Sequence, residues 1–162
     1  MNVLTQKLAH LGLFTALAAI LGYLESLFPI FPSVPGIKLG LANLSVLFLL
    51  LRYTWKEAAV VSTARIFIIG FLFGNFFGIV YSCFGAAVSL TAMAVLSKKT
   101  DASPVLISIF GGIFHNIGQL IAAIWLAQSL ALLYYAPALL ISGILTGTLV
   151  GVLTMEVKKR VR

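Results

Sequence analysis

Arg65 is the residue of this sequence with the clearest potential for binding chemistry. It lies near the middle of an apolar run, residues 58–73. A charge within a membrane span is costly, so such a residue marks a functional site by default and requires a partner. Its guanidinium offers five N–H donors in a planar fork, which suits a carboxylate or a phosphate. Arg65 is therefore the first candidate for holding an anionic ligand.

Other polar residues lie at the middle or outer depth of the apolar segments. Asn116 and Gln119 are three residues apart and share one helix face, which favours a common cavity. Unpaired polar groups in hydrocarbon cost on the order of several kcal/mol each, so these side chains should face a shared interior or a water-filled pocket that opens outward. The candidates for this pocket, besides Arg65, are Glu25, Lys38, Asn43, Asn75, His115, Asn116 and Gln119.

Each candidate also has a purely structural interpretation. Arg65 and Glu25 can form an ion pair that only holds helices together. Lys38 can extend to the outer membrane surface. His115 beside Asn116 can hydrogen-bond to a neighbouring helix, which is a common role in membrane bundles. The sequence leaves these alternatives open.

The composition identifies an integral membrane protein. The 162 residues are 61% hydrophobic and 9% charged, with a mean hydropathy of +1.12. Soluble domains are typically about 45–50% apolar and about 25% charged. The net charge of +7 does not indicate nucleic-acid binding, because the cations lie at the ends of apolar segments and form no stripe with interleaved aromatic residues. The single cysteine, Cys83, lies in an apolar run and is interpreted as a packing residue.

Six apolar segments define the predicted elements. A spanning helix needs about 20 residues, with a range of roughly 17 to 25. We predict an all-α integral membrane protein, a single domain over residues 1–162, built as a bundle of six transmembrane helices. The second segment is short, and we expect it to be tilted or partly unwound. The predicted helices cover about 9–28, 39–51, 57–73, 76–96, 104–126 and 134–157.

The positions of lysine and arginine predict the orientation of the bundle. Nine of the 11 lie at alternate junctions between the segments. Cytoplasmic loops of membrane proteins carry an excess of these residues. We therefore expect both termini and the loops at 52–56 and 98–101 in the cytoplasm of a multi-pass cell-membrane protein, with the loops at 29–38, 74–75 and 127–133 outside.

Catalysis and metal binding find little support in the sequence. The four acidic residues and two histidines form no carboxylate pair and no spacing typical of metal ligands. A glycine-rich loop with a lysine that would cradle phosphates is also lacking. We expect no enzyme activity, no cofactor and no metal. If the protein moves a solute by ATP hydrolysis, a partner must supply the energy.

The most distinctive local motif covers residues 35–43, which read PGIKLGLAN. With the six-segment pattern, it resembles the small membrane proteins of the heptaprenyl diphosphate synthase component I family, also called the Gx transporter family. That family is similar to the substrate-binding S components of energy-coupling factor (ECF) vitamin transporters. The resemblance covers nearly the whole chain. It implies a six-helix bundle, surrounded by membrane lipid, that captures a small solute from outside. The solute would be vitamin-like or a precursor of isoprenoids or quinones. It also implies a transmembrane coupling subunit with ATPases that drives uptake.

The resemblance also implies a docking surface on the first helix. S components bind the coupling subunit through small residues there, which let helices approach closely. The first helix of this chain offers three pairs of small residues four apart, none of them a pair of alanines: Gly12 with Ala16, Thr15 with Ala19, and Ala18 with Gly22. The docking surface is predicted at Gly12, Thr15, Ala16 and Ala19.

Two other functions remain open. One is a non-catalytic accessory subunit of polyprenyl diphosphate or quinone biosynthesis, beside a separate polyprenyl synthase catalytic subunit. This chain lacks the acidic clusters that hold Mg²⁺ on a diphosphate, so it cannot perform prenyl transfer alone. The other is a structural bundle whose polar residues only lock the helices.

Overall fold

The structure, a computed structural model, describes residues 2–27 and 40–160. Within these ranges it contains six α-helices, one 3-10 helix and no strand, so the predicted all-α class is confirmed. The 3-10 helix, Leu130–Tyr135, directly precedes the last α-helix. The α-helices are α1 (Val3–Leu27), α2 (Ala42–Arg52), α3 (Trp55–Phe73), α4 (Phe76–Lys99), α5 (Pro104–Ala127) and α6 (Ala136–Arg160).

Capping residues explain why several predicted helix starts agree with the structure. The Ser103 side chain accepts a hydrogen bond from the Leu106 N–H, and Pro104 follows as the first helical residue of α5. Thr54 and Glu57 form a capping box at the start of α3. α1 differs most from its prediction, because it begins about six residues earlier, at Val3. The apolar pattern predicts the span, whereas the helix continues through the polar residues before it.

Four helical segments are long and apolar enough to cross a membrane, which indicates a multi-pass membrane protein. They are Leu4–Leu27, Phe76–Lys99, Pro104–Ala127 and Leu130–Arg160. α3 is not among them, since its 19 residues include Lys56, Glu57 and Arg65. α2 has only 11 residues and rises roughly 16 Å, about half of the hydrocarbon core. The prediction of six helices is confirmed, whereas within residues 2–27 and 40–160 only four helical segments have the length and composition of complete spans.

Glycines bring α5 and α6 into direct backbone contact. Gly143, Gly147 and Gly151 recur at every fourth residue and form one stripe along α6. A Cβ atom added at Gly147 would lie 2.7 Å from the carbonyl oxygen of Ser108, and one added at Gly112 would collide with the carbonyl oxygen of Gly143. We call the contact made by Gly112 and these three glycines the glycine interface. It holds α5 and α6 as one close-packed pair.

α2 forms the centre of the bundle. Its residues 45–50 and Ala42 are all buried. It packs against α1, α3 and α6, and the rings of Phe14 and Phe48 stack with centroids 4.8 Å apart. Because α2 is short and enclosed by longer helices, its amino terminus ends within the bundle.

Candidate functional site

A cavity of about 60 Å³ lies among α1, α2, α3, α5 and α6. We call it the Arg65 cavity. An engineered cavity of about 150 Å³ holds benzene, so this smaller space admits only a compact group. Five of the eight predicted ligand-binding residues line it, namely Glu25, Asn43, Arg65, His115 and Asn116. Residues from four separate helices of the predicted set therefore meet at one place.

The other three predicted residues are not among the lining side chains of this cavity. Lys38 lies outside the described residues. Asn75 caps α4 at an exposed position, where its Oδ1 accepts a hydrogen bond from the Gly78 N–H at 2.8 Å. Gln119 is 1% exposed and packs against Gly85 of α4, where an added Cβ would lie 2.8 Å from the Gln119 Cγ.

The separation of Gln119 from Asn116 has a geometric cause. Residues three apart on an α-helix differ by roughly 60° in direction, since each residue turns the helix by about 100°. α5 packs between α4 and α6, so this difference turns Gln119 towards α4 and Asn116 towards α6. Asn116 and Gln119 therefore do not line the same cavity, although they lie on neighbouring sides of one helix.

Arg65 lacks the structural partner that the ion-pair interpretation requires. Its Nε is buried and has no hydrogen-bond partner among the described residues. Glu25 is near enough for its charge to act on the guanidinium. The ion pairs found within 2–27 and 40–160 are nevertheless Lys7–Glu57 and Lys159–Glu156. A buried donor without a partner costs about 1–3 kcal/mol, which makes Arg65 a candidate for binding a further group.

Glu25 instead caps the amino terminus of α2. Its Oε1 accepts a hydrogen bond from the Leu41 N–H at 3.1 Å. The chain enters α2 through Gly40, whose φ of 72° lies in the left-handed region that glycine adopts readily. The first N–H groups of a helix have no partner within it and carry a partial positive charge. The side chain of Leu41, the N-cap residue, makes no capping hydrogen bond. The Glu25 carboxylate of α1 therefore provides the hydrogen-bond acceptor for the Leu41 N–H.

The depth of the α2 amino terminus follows from its length. Its carboxyl end joins α3 through Tyr53 and Thr54, beside the Lys7–Glu57 pair. The opposite end lies only roughly 16 Å away, which is about half of a hydrocarbon core about 30 Å thick. α2 is thus a half-length helix whose positive end faces the Arg65 cavity.

Asn116 has a structural role as well as a place in the cavity wall. Its Nδ2 donates hydrogen bonds to the Leu139 carbonyl oxygen at 2.7 Å and to the Ser142 Oγ at 3.0 Å. These bonds join α5 to α6. His115 also interacts within the structure, and its ring packs against Gly85, where an added Cβ would lie 2.9 Å from the His115 Cε1.

Ser108 is a cavity residue that the sequence analysis missed. Its side chain lines the Arg65 cavity, is 1% exposed, and carries an Oγ with no hydrogen-bond partner among the described residues. Hydroxyl side chains in this bundle commonly donate to the carbonyl four residues earlier, as Thr154 does to Val150 at 2.7 Å. Ser108 precedes Gly112 and Asn116 at four-residue spacing, and this pattern is the signal that could have identified it.

The predicted docking residues of α1 fall into two groups. Gly12 and Ala16 are exposed, and a Cβ added at Gly12 would meet nothing within 4 Å. Thr15 and Ala19 are half-buried, and the Thr15 hydroxyl donates to the Leu11 carbonyl oxygen at 2.8 Å. The free part of the predicted surface is therefore the Gly12 and Ala16 side of the helix.

A second concave surface runs along α4 and α5. This lateral groove has a volume of about 660 Å³ and is lined mainly by apolar side chains, including Val95, Phe110 and Phe114. Lys99 and Thr100 lie at one end of it. The groove has the composition of a site for an apolar chain with a polar end.

Comparisons with known proteins agree with the resemblance stated for residues 35–43. Residues 14–157, which are most of the chain, match the model of the protein family described as heptaprenyl diphosphate synthase component I. No curated protein and no solved structure matches the chain. The family description names a component of a synthase and does not assign catalysis to it.

Proposed function

We propose that this chain, which belongs to the heptaprenyl diphosphate synthase component I family, is a non-enzymatic membrane subunit that binds a small solute for uptake. Its function would resemble that of the S components of ECF transporters. The observation that carries the proposal is the Arg65 cavity, in which the buried Nε of Arg65 has no hydrogen-bond partner among the described residues. The order of six α-helices supports the comparison with S components.

The chemistry of the cavity favours binding over a purely structural role. A bundle that used Arg65 only to lock helices would pair it with Glu25, and those two charges form no direct contact within the described residues. Arg65 and Ser108 instead offer unpartnered donors to the same space. Preorganised donors of this kind bind the polar end of a solute at little reorganisation cost.

The small volume limits what the cavity can hold. About 60 Å³ receives one compact polar group and excludes a whole vitamin or prenyl chain. The solute is therefore a vitamin-like molecule or an isoprenoid or quinone precursor whose polar end enters the cavity.

In this proposal both termini are cytoplasmic and the cavity takes its ligand from outside. The last turns of α2, α4 and α6 all carry basic residues, and α1 begins beside the start of α3 through the Lys7–Glu57 pair. These cations collect at one end of the bundle, as the excess of positive residues in cytoplasmic loops requires. A coupling subunit with ATPases would dock on the Gly12 and Ala16 side of α1.

Substitution of Arg65 tests the proposal. We expect Arg65→Gln to keep the thermal stability of the ligand-free protein, because among the described residues Arg65 forms no ion pair and its Nε has no hydrogen-bond partner. Binding should weaken by roughly 2–5 kcal/mol, as when a desolvated charged contact is broken. Native mass spectrometry would compare the small molecules that copurify with the wild type and the variant, and thermal melts would compare their stabilities.

Arg52→Gln is the matched control, because Arg52 is an exposed arginine at the far end of α2. It should keep the copurified molecule. The proposal is wrong if Arg65→Gln and Glu25→Gln lower stability equally while the copurified molecule stays bound.

The lateral groove favours a second candidate function. It fits an isoprenoid chain along Val95, Phe110 and Phe114 with an anionic end near Lys99. In that case the protein is a non-catalytic accessory subunit that presents a lipid-like substrate to a polyprenyl synthase catalytic subunit. Copurified polyprenyl lipid, lost on Phe110→Ala but retained on Arg65→Gln, would favour this function.

A further inference from the structure

The Arg65 cavity contains a carboxylate of its own. Glu25 lines it together with Arg65 and accepts the Leu41 N–H hydrogen bond at the positive end of α2. We infer that Glu25 is an internal electrostatic competitor of the ligand: its negative charge opposes the binding of a second compact carboxylate without occupying the donors that would hold that carboxylate. This inference rests on the proposed function and adds the chemical class of the ligand and the residue that sets its affinity.

The fixed charges around the cavity favour an anion even while Glu25 is present. The amino terminus of a helix carries about half a positive charge, and Arg65 adds a full one. Glu25 offsets part of this charge. His115 is the other titratable residue that faces the cavity in the described part of the chain, and α2 and α6 contribute no ionisable side chain to its wall.

Two unpartnered donors show where an added anion would bind. The Ser108 Oγ is 1% exposed and the Arg65 Nε is buried, and both lack hydrogen-bond partners among the described residues. They belong to two helices, α5 and α3, and both residues line the cavity. Glu25 satisfies the end of α2 but neither of these groups. A ligand carboxylate can accept from both donors, which a resident carboxylate held at Leu41 does not do.

Volume distinguishes a carboxylate from a diphosphate. The cavity measures about 60 Å³, less than half of the roughly 150 Å³ that holds benzene. A carboxylate group fits such a space. A diphosphate is larger, so part of it would have to remain outside this space.

Glu25→Gln is the informative variant because it separates charge from hydrogen bonding. The glutamine amide oxygen can still accept from the Leu41 N–H, so the cap of α2 is kept while the negative charge is removed. Glu57→Gln is the matched control. It makes the same change in net charge at a carboxylate that binds Lys7 outside the cavity.

The experiment measures binding of acetate and of inorganic diphosphate to the purified protein in detergent. The readout is the increase in thermal midpoint with ligand concentration, which gives a dissociation constant. We expect Glu25→Gln to bind acetate at least about tenfold more tightly than the wild type, since a like charge beside the ligand is removed. Glu57→Gln should match the wild type, and Arg65→Gln should lose the saturable response. Ser108→Ala should weaken acetate binding by about three- to tenfold, as expected for one lost hydrogen bond.

The outcomes separate this inference from the proposed function. Weaker acetate binding by Glu25→Gln would show that Glu25 holds the ligand instead of competing with it, and would overturn the inference while leaving the binding function intact. Tighter binding of diphosphate than of acetate, or no response to acetate by any of the proteins, would overturn the assignment of a carboxylate. The binding function itself fails only on the comparison described above, in which Arg65→Gln and Glu25→Gln lower stability equally while the copurified molecule stays bound.

Discussion

The glycine interface and the Arg65 cavity differ in how closely their atoms pack and in whether their polar groups have hydrogen-bond partners. At the glycine interface, α5 and α6 touch through their backbones, and Asn116 donates both of its described hydrogen bonds to α6. At the cavity, a half-length helix leaves room in the bundle, and Arg65 and Ser108 lack partners. One region is closed and satisfied, and the other is open and unsatisfied.

This difference assigns separate tasks to the two regions. Close helix contacts without voids stabilise a membrane bundle, because helices in lipid associate through packing more than through the hydrophobic effect. Unsatisfied donors destabilise the ligand-free protein and are retained where a ligand repays them. Gly112 and Gly147 of the glycine interface also line the cavity beside Ser108, so the glycine interface sets the position of one wall of the cavity.

The largest effect on stability is expected from Gly112→Ala, which adds a methyl group at the glycine interface. A Cβ at this position would collide with the Gly143 carbonyl oxygen, and backbone cannot move aside as a flexible side chain does. We expect a loss of stability of about 1–3 kcal/mol or more, typical of overpacking, measured as a lower unfolding midpoint in detergent.

Gly12→Ala is the matched control, because a Cβ there would meet nothing within 4 Å. Alanine is intrinsically better than glycine in a helix by about 1 kcal/mol, so this variant should be neutral or slightly more stable. Equal unfolding midpoints for the two variants would contradict the assignment of stability to the glycine interface.

A second prediction compares two asparagines that both line the cavity. Asn116→Ala removes the donors to Leu139 and Ser142, and we expect a loss of stability of about 1–3 kcal/mol. Asn43 makes no side-chain hydrogen bond among those found in the described residues, so Asn43→Ala should leave the unfolding midpoint nearly unchanged.

The same pair separates stability from binding. Because the Asn43 side chain lies at the cavity beside the positive end of α2, its loss should reduce retention of the copurified molecule. Thermal melts and native mass spectrometry on each variant measure the two effects. If Asn43→Ala destabilised the protein as much as Asn116→Ala, the Arg65 cavity would contribute to stability as much as the contact between α5 and α6, and the proposed difference between the two regions would be wrong.

Much of the architecture could be predicted from the sequence because long apolar segments with flanking cations identify membrane helices. The same rule brought Glu25, Asn43 and Arg65 together, since polar residues within apolar helices must share an interior. Rotation about each helix was harder to predict. Gln119 shows this, because a change of roughly 60° placed it against α4.

Two further features could not be read from residue type alone. Ser108 is chemically like the other serines, and the Ser45 Oγ is also buried without a partner; only the folded bundle shows that Ser108 in addition lines the cavity. Asn75 looked like an outer binding residue, yet asparagine is also a preferred helix cap, and the structure places it in that role. Local capping competes with ligand binding for the same side-chain chemistry, and the sequence does not decide between them.

The smallest effect on the isolated protein is expected at the exposed side of α1. Gly12→Leu with Ala16→Leu adds two side chains where Gly12 has no neighbour within 4 Å and Ala16 is exposed, so the unfolding midpoint should hardly change. If a coupling subunit docks here, the same change should abolish copurification with a coexpressed ECF coupling subunit and its ATPases, because small residues are what allow two helices to approach closely. Ala87→Leu with Thr91→Leu is the control, since both positions are exposed, four residues apart and on α4. Copurification lost in the control as well as in the α1 variant would indicate a general effect of added bulk. If the α1 variant still copurified with the coupling subunit, the Gly12 and Ala16 side of α1 would not be the docking surface, and any partner would bind elsewhere.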